Sequence, residues 1–262
     1  MTTSSPLISV IIPTWNRPKL LRECLTALTH QTFRDFEVCV VNDGGVSIEN
    51  VVSQFPSLIL HAYDLKEDRG PAAARNQGIK MASGKWIALC DDDDLFLPTH
   101  LESLVKATHE NDFIYSDGEL VYLRTEKKER LSFAFAYDKQ LLRKTNFILV
   151  SGILYKKELH DQLGYFDEKM RRYEDWDWYL RVSERHQIAR VPFATVLCGL
   201  DAAGSNTSSH PEKFKAQLDS FCKKHHLGDL PVSNFEKMVS DPSLEPWRRP
   251  TKRLWDGTLF WR

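Results

Sequence analysis

The sequence predicts an α/β fold: one domain with a mainly parallel central sheet flanked by helices, followed by a C-terminal helical and irregular extension. Two observations carry this. Short apolar runs alternate with stretches whose apolar residues recur at helical spacing through the first half of the chain. Turn residues such as Asn42-Asp43-Gly44-Gly45 and Ser83-Gly84 punctuate the alternation. Such alternation implies parallel strands joined by right-handed crossovers.

Taken in order, Leu7 to Ile12 is an apolar strand that ends at Pro13. Leu21, Cys24, Leu25 and Leu28 share a helix face, with Asn16 as the expected N-cap and Pro18 in the first turn. Phe36 to Val41 and Leu58 to Tyr63 read as the second and third strands. Gly70-Pro71 opens a helix through Met81, Trp86 to Cys90 is the fourth strand, and Pro98 to His109 is a helix. The second half is less regular. Phe113 to Ser116 and Glu119 to Arg124 are expected strands around a turn at Asp117-Gly118, and Arg124 to Arg130 is a solvated loop. Phe133, Phe135 and Tyr137 alternate, as in a half-buried strand or an aromatic loop over a site. Ile148 to Tyr155 is a strand, and Asp175 to Arg185 and Pro211 to His225 are helices. Beyond Gly228 the chain is rich in proline and tryptophan. The expected division is residues 1–210, split near residue 117 into two halves (about 7–117 and 118–210), then an extension of residues 211–262.

Composition narrows the function classes. The 262 residues are 42% hydrophobic and 27% charged, ordinary for a globular chain. A net charge of −1 gives no field that would draw nucleic acid. No apolar run approaches the roughly 20 residues of a membrane span, and the short polar segment Met1 to Pro6 lacks the basic and apolar regions expected of a signal peptide. The five cysteines are scattered, with no CxxC pair, as expected of reduced thiols in the cytoplasm. The tail mixes cations with aromatics: Trp247-Arg248-Arg249, Lys252-Arg253-Leu254-Trp255 and Leu259-Phe260-Trp261-Arg262. Two placements fit it, peripheral contact with the inner face of a membrane or packing on the domain or a second subunit.

The most telling segment is Trp86-Ile87-Ala88-Leu89-Cys90-Asp91-Asp92-Asp93-Asp94, an apolar strand running into four carboxylates. Like charges so placed repel unless neutralised, and a hard divalent cation, Mg²⁺ or Mn²⁺, is the simplest neutraliser. The C-terminal edge of an open α/β sheet is also where ligands bind. Read blandly, Asp94 starts the next helix and the run is a solvated turn. Three further segments fall at similar places. Pro13-Thr14-Trp15-Asn16-Arg17 follows the first strand, Asn42-Asp43-Gly44 the second, and Arg75-Asn76-Gln77-Gly78 lies near a helix start. Trp15 offers a face for a base, Asp43 an acceptor for a base N–H, and Arg75 a fork for nucleotide oxygens. Singly, each has a plainer role: core, turn residue and surface cation.

Together these motifs resemble the family 2 inverting glycosyltransferases. The order is Pro-Thr-Trp-Asn-Arg, Val-Val-Asn-Asp-Gly, Gly-Pro-Ala-Ala-Ala-Arg-Asn-Gln-Gly, then the acid run. Leu163-Gly164-Tyr165-Phe166-Asp167-Glu168 and Glu174-Asp175-Trp176-Asp177-Trp178 follow later, so the likeness spans about residues 7–207. It implies a GT-A, Rossmann-like fold and transfer from a nucleotide-sugar, most often a UDP-sugar, to a carbohydrate or lipid-linked glycan acceptor. It implies that Asp91-Asp92-Asp93 is the Asp-x-Asp motif, with Asp93 the ligand of Mg²⁺ or Mn²⁺ and Asp92 near the ribose. Pro13, Thr14, Trp15, Asn16, Arg17, Asp43, Arg75 and Asp91 would line the nucleotide site. Asp175 would be the catalytic base, its pKa raised by Glu174 and Asp177, with Glu174 and Trp176 beside the acceptor sugar. One departure stands out. Similar proteins carry a His before the Gly-Ser-Asn-Thr-Ser segment, whereas Leu200-Asp201-Ala202-Ala203 precedes Gly204 to Ser208 here. Asp201 would substitute as an oxygen ligand, or Ser205 and backbone would hold the diphosphate; His210 reads as a surface residue. Two rivals remain: a non-catalytic nucleotide-sugar or glycan-binding subunit of the same fold, and a nucleotidyltransferase. The second would need a glycine-rich basic loop where Thr14 to Arg17 stands.

Overall fold

The structure, a computed structural model, describes residues 5–200 and 211–261. Its elements run β1 (Ile8–Thr14), α1 (Pro18–Thr29), β2 (Phe36–Asn42), α2 (Glu49–Val52), β3 (Leu60–Asp64), α3 (Pro71–Met81), β4 (Trp86–Leu89), β5 (Leu95–Phe96), α4 (His100–Val105) and β6 (Phe113–Val121). They continue β7 (Arg130–Phe133), α5 (Lys139–Leu142), β8 (Ile153–Lys156), α6 (Leu159–Leu163), α7 (Glu174–Arg185), β9 (Ile188–Gly199), α8 (Pro211–His225), α9 (Phe235–Ser240) and β10 (Lys252–Arg253).

One sheet has the order β10-β9-β6-β8-β4-β1-β2-β3, with β5 on β9 and β7 on β6. The block β4-β1-β2-β3 is parallel, as the alternation predicts. β8 enters antiparallel to both neighbours, β4 and β6, and beyond it β6, β9 and β10 are again parallel. The central strands are buried because both faces are covered, and the buried polar side chains among them find partners, as Ser9 Oγ does in donating to Glu37 Oε1 at 2.6 Å. Ile8, Val10 and Ile12 point to the face carrying α1 and α4, while Ile11 points to the face carrying α3, α7 and α8. α3 presses closely on β1, since a Cβ on Gly78 would lie 2.4 Å from Ile11 Cγ2.

Several boundaries differ from expectation. β1 continues through Pro13, which sits as a strand residue opposite Val41. The cap of α1 is Arg17, not Asn16. Asn16 takes a left-handed φ of 56° and its Oδ1 accepts from the Val46 amide at 2.8 Å. Asp117-Gly118 is no turn: β6 runs straight through, and the irregularity falls on β9, where Pro192 and Phe193 are extra between partners Val191 and Ala194. β9 itself was not foreseen, because Pro192 breaks its pattern. The segment 148–152 is not strand; Val150–Gly152 forms a 3-10 turn before β8. Phe133 and Phe135 are buried and meet Phe235 and Phe147, so this aromatic stretch is core.

The tail packs on the domain. β10 joins β9, and Trp255, Leu259, Phe260 and Trp261 cover Leu95, Leu97, Val121 and Leu197. Arg253 and Arg130 both pair with the buried Glu119, and Arg130 stacks over Trp255. Among the described residues no helix is long and apolar enough to cross a membrane.

Candidate active site

The acid run sits where β4 ends, at the edge shared with the end of β1. The Asp94 amide donates to the Asp91 carbonyl at 3.1 Å, closing a turn that leads into β5. Thr14 Oγ1 donates to Asp92 Oδ2 at 2.6 Å. Arg17 reaches two acids, with Nη2 3.0 Å from Asp92 Oδ1 and Nη1 2.9 Å from Asp93 Oδ2. Burial pushes Asp92 up to about 7, although the Arg17 charge works against it. Asp94 accepts from Ser151 Oγ at 2.6 Å and from the Gly199 amide at 3.2 Å. Burial, then the charges of Asp93 and Asp91, push it up to about 8. Burial and Asp91 likewise raise Asp93.

Asp91, Asp93 and Asp94 each bring a carboxylate oxygen within 4.8 Å of the others. An all-oxygen set of mutually repelling carboxylates fits Mg²⁺ or Mn²⁺. This sets aside the blander reading of Asp94 as a helix start; its place in the cluster is set by Ser151 and Gly199, which are remote in sequence. Asp92 is fully buried on Thr14 and Arg17, so it stands behind the cluster and offers little to a ribose.

After the end of β1, Trp15 is 47% exposed, which sets aside the core reading and leaves a ring face open. Asp43 is buried and accepts from the amides of Arg69 (2.8 Å) and Gly70 (2.7 Å), anchoring the entry to α3. Gly70 there has φ 91°, a left-handed conformation that favours glycine. Both carboxylate oxygens of Asp43 are thus engaged by backbone amides.

Arg75 is neither a surface cation nor open to solvent. Its side chain is 5% exposed, with Nη2 2.7 Å from Asp91 Oδ1 and Nη1 2.5 Å from Glu174 Oε1. It therefore ties the acid cluster to the start of α7. Its neighbour Asn76 exchanges hydrogen bonds with the backbone of Phe166, at 2.9 and 3.0 Å, and pins the loop that leads to α7. Arg75 and Asn76 thus tie α3 to the segment that runs from Phe166 into α7.

At the start of α7, Tyr173 takes a left-handed φ of 61° and turns the chain into the helix. Asp175 is half-buried and accepts from Asn146 Nδ2 at 2.8 Å. Its pKa is raised, but burial is the cause; Arg75 and the Asn146 hydrogen bond oppose it, and Asp91 adds to it. This replaces the expected cause. Glu174 is paired with Arg75, and Asp177 turns away to Arg181, Lys224 and His225. Glu174 and Trp176 were expected beside an acceptor sugar, yet both are buried at 5% exposure. Trp176 Nε1 donates to the Leu142 carbonyl at 2.6 Å and its ring packs on Phe221 at 4.5 Å, so it is core. Asn146 was missed, for no local pattern marks a residue that acts by reaching another element. Asp201, Gly204 to Ser208 and His210 lie outside the described residues.

Fold and site together define an α/β protein with an oxygen-lined cluster at the edge of its parallel strands and a hydrogen-bonded carboxylate at the start of a neighbouring helix. The chain belongs to glycosyl transferase family 2, whose family model matches residues 9–164. The uncharacterized glycosyltransferase YwdF of Bacillus subtilis (strain 168) is 38% identical over 256 residues, covering 95% of this chain and 96% of its own. Among solved structures, S. aureus TarS 1-349 in complex with UDP-GlcNAc superposes with a TM-score of 0.68 at 21% identity. The match covers 89% of this chain and 70% of that one. The mannosyltransferase PcManGT from Pyrobaculum calidifontis, in complex with GDP-Man and Mn²⁺, gives 0.63 at 19% identity, over 93% and 70%. At these identities the two structures show the fold, which is GT-A. The chain is a glycosyltransferase.

Proposed function

We propose that the protein transfers a sugar, with inversion, from a UDP-sugar to a hydroxyl of a carbohydrate or lipid-linked glycan. The observation that carries this reading is Asp175, held by Asn146 on the helix that Arg75 ties to Asp91 of the acid cluster. Direct displacement at an anomeric carbon requires the acceptor oxygen to lose its proton as it attacks, and a positioned carboxylate takes that proton. The Asp175 carboxylate receives it, and Asn146 fixes which oxygen faces the acceptor. One base suffices because no covalent intermediate is formed. Asp91, Asp93 and Asp94 would hold a divalent cation, which as a Lewis acid stabilises charge on the leaving diphosphate. The exposed Trp15 ring and the Asp43 carboxylate would hold the base. The named ligands of the two structural neighbours, UDP-GlcNAc and GDP-Man with Mn²⁺, support a nucleotide-sugar at this edge. The two-part division near residue 117 and an extension from residue 211 belong to the same proposal. A membrane role for the tail does not, since its rings are seated on the domain.

The test is a binding screen of nucleotide-sugars with Mn²⁺, Mg²⁺ or EDTA on wild type and Asp93→Ala. A metal-dependent signal for a UDP-sugar, lost in the variant, is expected. Binding of no nucleotide or nucleotide-sugar under any condition would favour a non-catalytic fold.

A further inference from the structure

The chain brings its own cation to the acid cluster. Arg17 stands at the cap of α1, and its guanidinium pairs with Asp93 Oδ2 at 2.9 Å and Asp92 Oδ1 at 3.0 Å. Thr14 holds the other oxygen of Asp92, so Asp92 is fixed from two sides and keeps the guanidinium close. Asp93 is the more accessible partner, 16% exposed against none for Asp92. Arg124 pairs with Glu23 at 3.0 Å, and its Nη2 donates to the Asp93 backbone carbonyl at 3.4 Å. The oxygens within reach of one another include that of Asp93, so a divalent cation drawn to the cluster meets the positive charge of Arg17 on the same carboxylate. Like charges so close repel. A guanidinium also binds a diphosphate in a planar, bidentate way, which a carboxylate shared with a metal cannot match.

We infer that Arg17 is a competing counter-cation for Asp93, and that a nucleoside diphosphate makes metal binding tighter by drawing the guanidinium off that carboxylate. The inference rests on the metal assignment at Asp93 proposed above. Arg17 is then a positioning residue that makes metal and nucleotide bind together. Asp92 serves as its tether, so the guanidinium swings between Asp93 and the diphosphate without leaving the site. Linkage requires the effect to be mutual: Mn²⁺ must tighten UDP by the same factor that UDP tightens Mn²⁺.

Free Mn²⁺ is measured by electron paramagnetic resonance in titrations of wild type, Arg17→Gln and Arg17→Lys, each with and without saturating UDP, with melting temperatures to confirm folding. Wild type is expected to bind Mn²⁺ about tenfold tighter with UDP, within the usual range for coupled sites. Arg17→Gln is expected to bind Mn²⁺ several-fold tighter than wild type without UDP, and the factor between the two conditions to shrink to what the direct attraction of metal and diphosphate supplies. Arg17→Lys keeps the charge without the fork and should fall between. Equal or weaker Mn²⁺ binding by folded Arg17→Gln, without UDP, overturns the inference and leaves the metal assignment standing. Wild-type Mn²⁺ binding that Asp93→Ala retains, or no binding at all, overturns the metal assignment and the inference with it.

Discussion

Replacing Arg75 by Met tests whether this residue is a brace or a nucleotide ligand. Its guanidinium lies between Glu174, 7% exposed, and Asp91, 28% exposed, and its own side chain is 5% exposed. Removing one partner of a buried ion pair costs about 3–5 kcal/mol, because the other charge stays buried. The lower end applies here for two reasons. Asp91 can recruit water, and Glu174, already pushed up to about 7 by burial, can take a proton. About 3 kcal/mol corresponds to a fall in Tm of roughly 6–12 °C for a chain of this size. The deficit also has a sign in pH. Without Arg75 the folded value of Glu174 rises further above its unfolded value, so the folded variant binds the proton and recovers stability as pH falls. The loss should therefore be larger at pH 8 than at pH 6. Arg75→Lys should recover little, since one ammonium cannot span both carboxylates. Scanning calorimetry at the two pH values, with UDP titrations alongside, is the assay. A variant within about 2 °C of wild type at both pH values that nonetheless loses UDP would refute the brace and restore a direct nucleotide role.

Two further perturbations probe the scaffold. Asp177 is fully buried; burial alone would raise its pKa, but hydrogen bonds from His225 and Lys224 and the charge of Arg181 hold it at about 2. The folded value lies below the unfolded one, so its stabilisation of about 2 kcal/mol is present at pH 7, roughly halved at pH 3, and lost as pH falls through 2. Urea unfolding of Asp177→Asn at pH 7 and pH 3 should show that narrowing gap. Gly78→Ala places a Cβ 2.4 Å from Ile11 Cγ2, and α3 must shift to admit it. A loss of about 1–3 kcal/mol in urea unfolding is expected, with UDP affinity falling too because α3 carries Arg75.

What the sequence reveals follows from where the information lies. Strands β1, β2 and β4 were legible because both faces are buried and the side chains have no reason to alternate. The acid run was legible because four adjacent carboxylates need an explanation wherever they sit. Asp94 and Asn146 were not, since their roles come from Ser151, Gly199 and Asp175 across the fold. The inward turn of Trp176 was hidden for a related reason: the family resemblance implied a place beside the acceptor sugar, while the helix turns its ring onto Phe221. β9 was hidden by Pro192, which the bulge absorbs. The pairing of Arg75 with Glu174 was not legible, because Glu174 lies far along the chain and reaches it only when α7 docks.

The most direct test of the central claim is transfer by Asp175→Asn. The amide keeps the shape and can still meet Asn146 after a flip, but it cannot accept a proton. Donor binding should be unchanged and the transfer rate should fall by about 10²–10⁴-fold, the usual contribution of a general base. In wild type, kcat should fall as pH drops through a value above the ordinary carboxylate range, because burial raises Asp175 and the base must be ionised. Transfer by Asp175→Asn at the wild-type rate, with the same pH profile, would remove Asp175 from the chemistry.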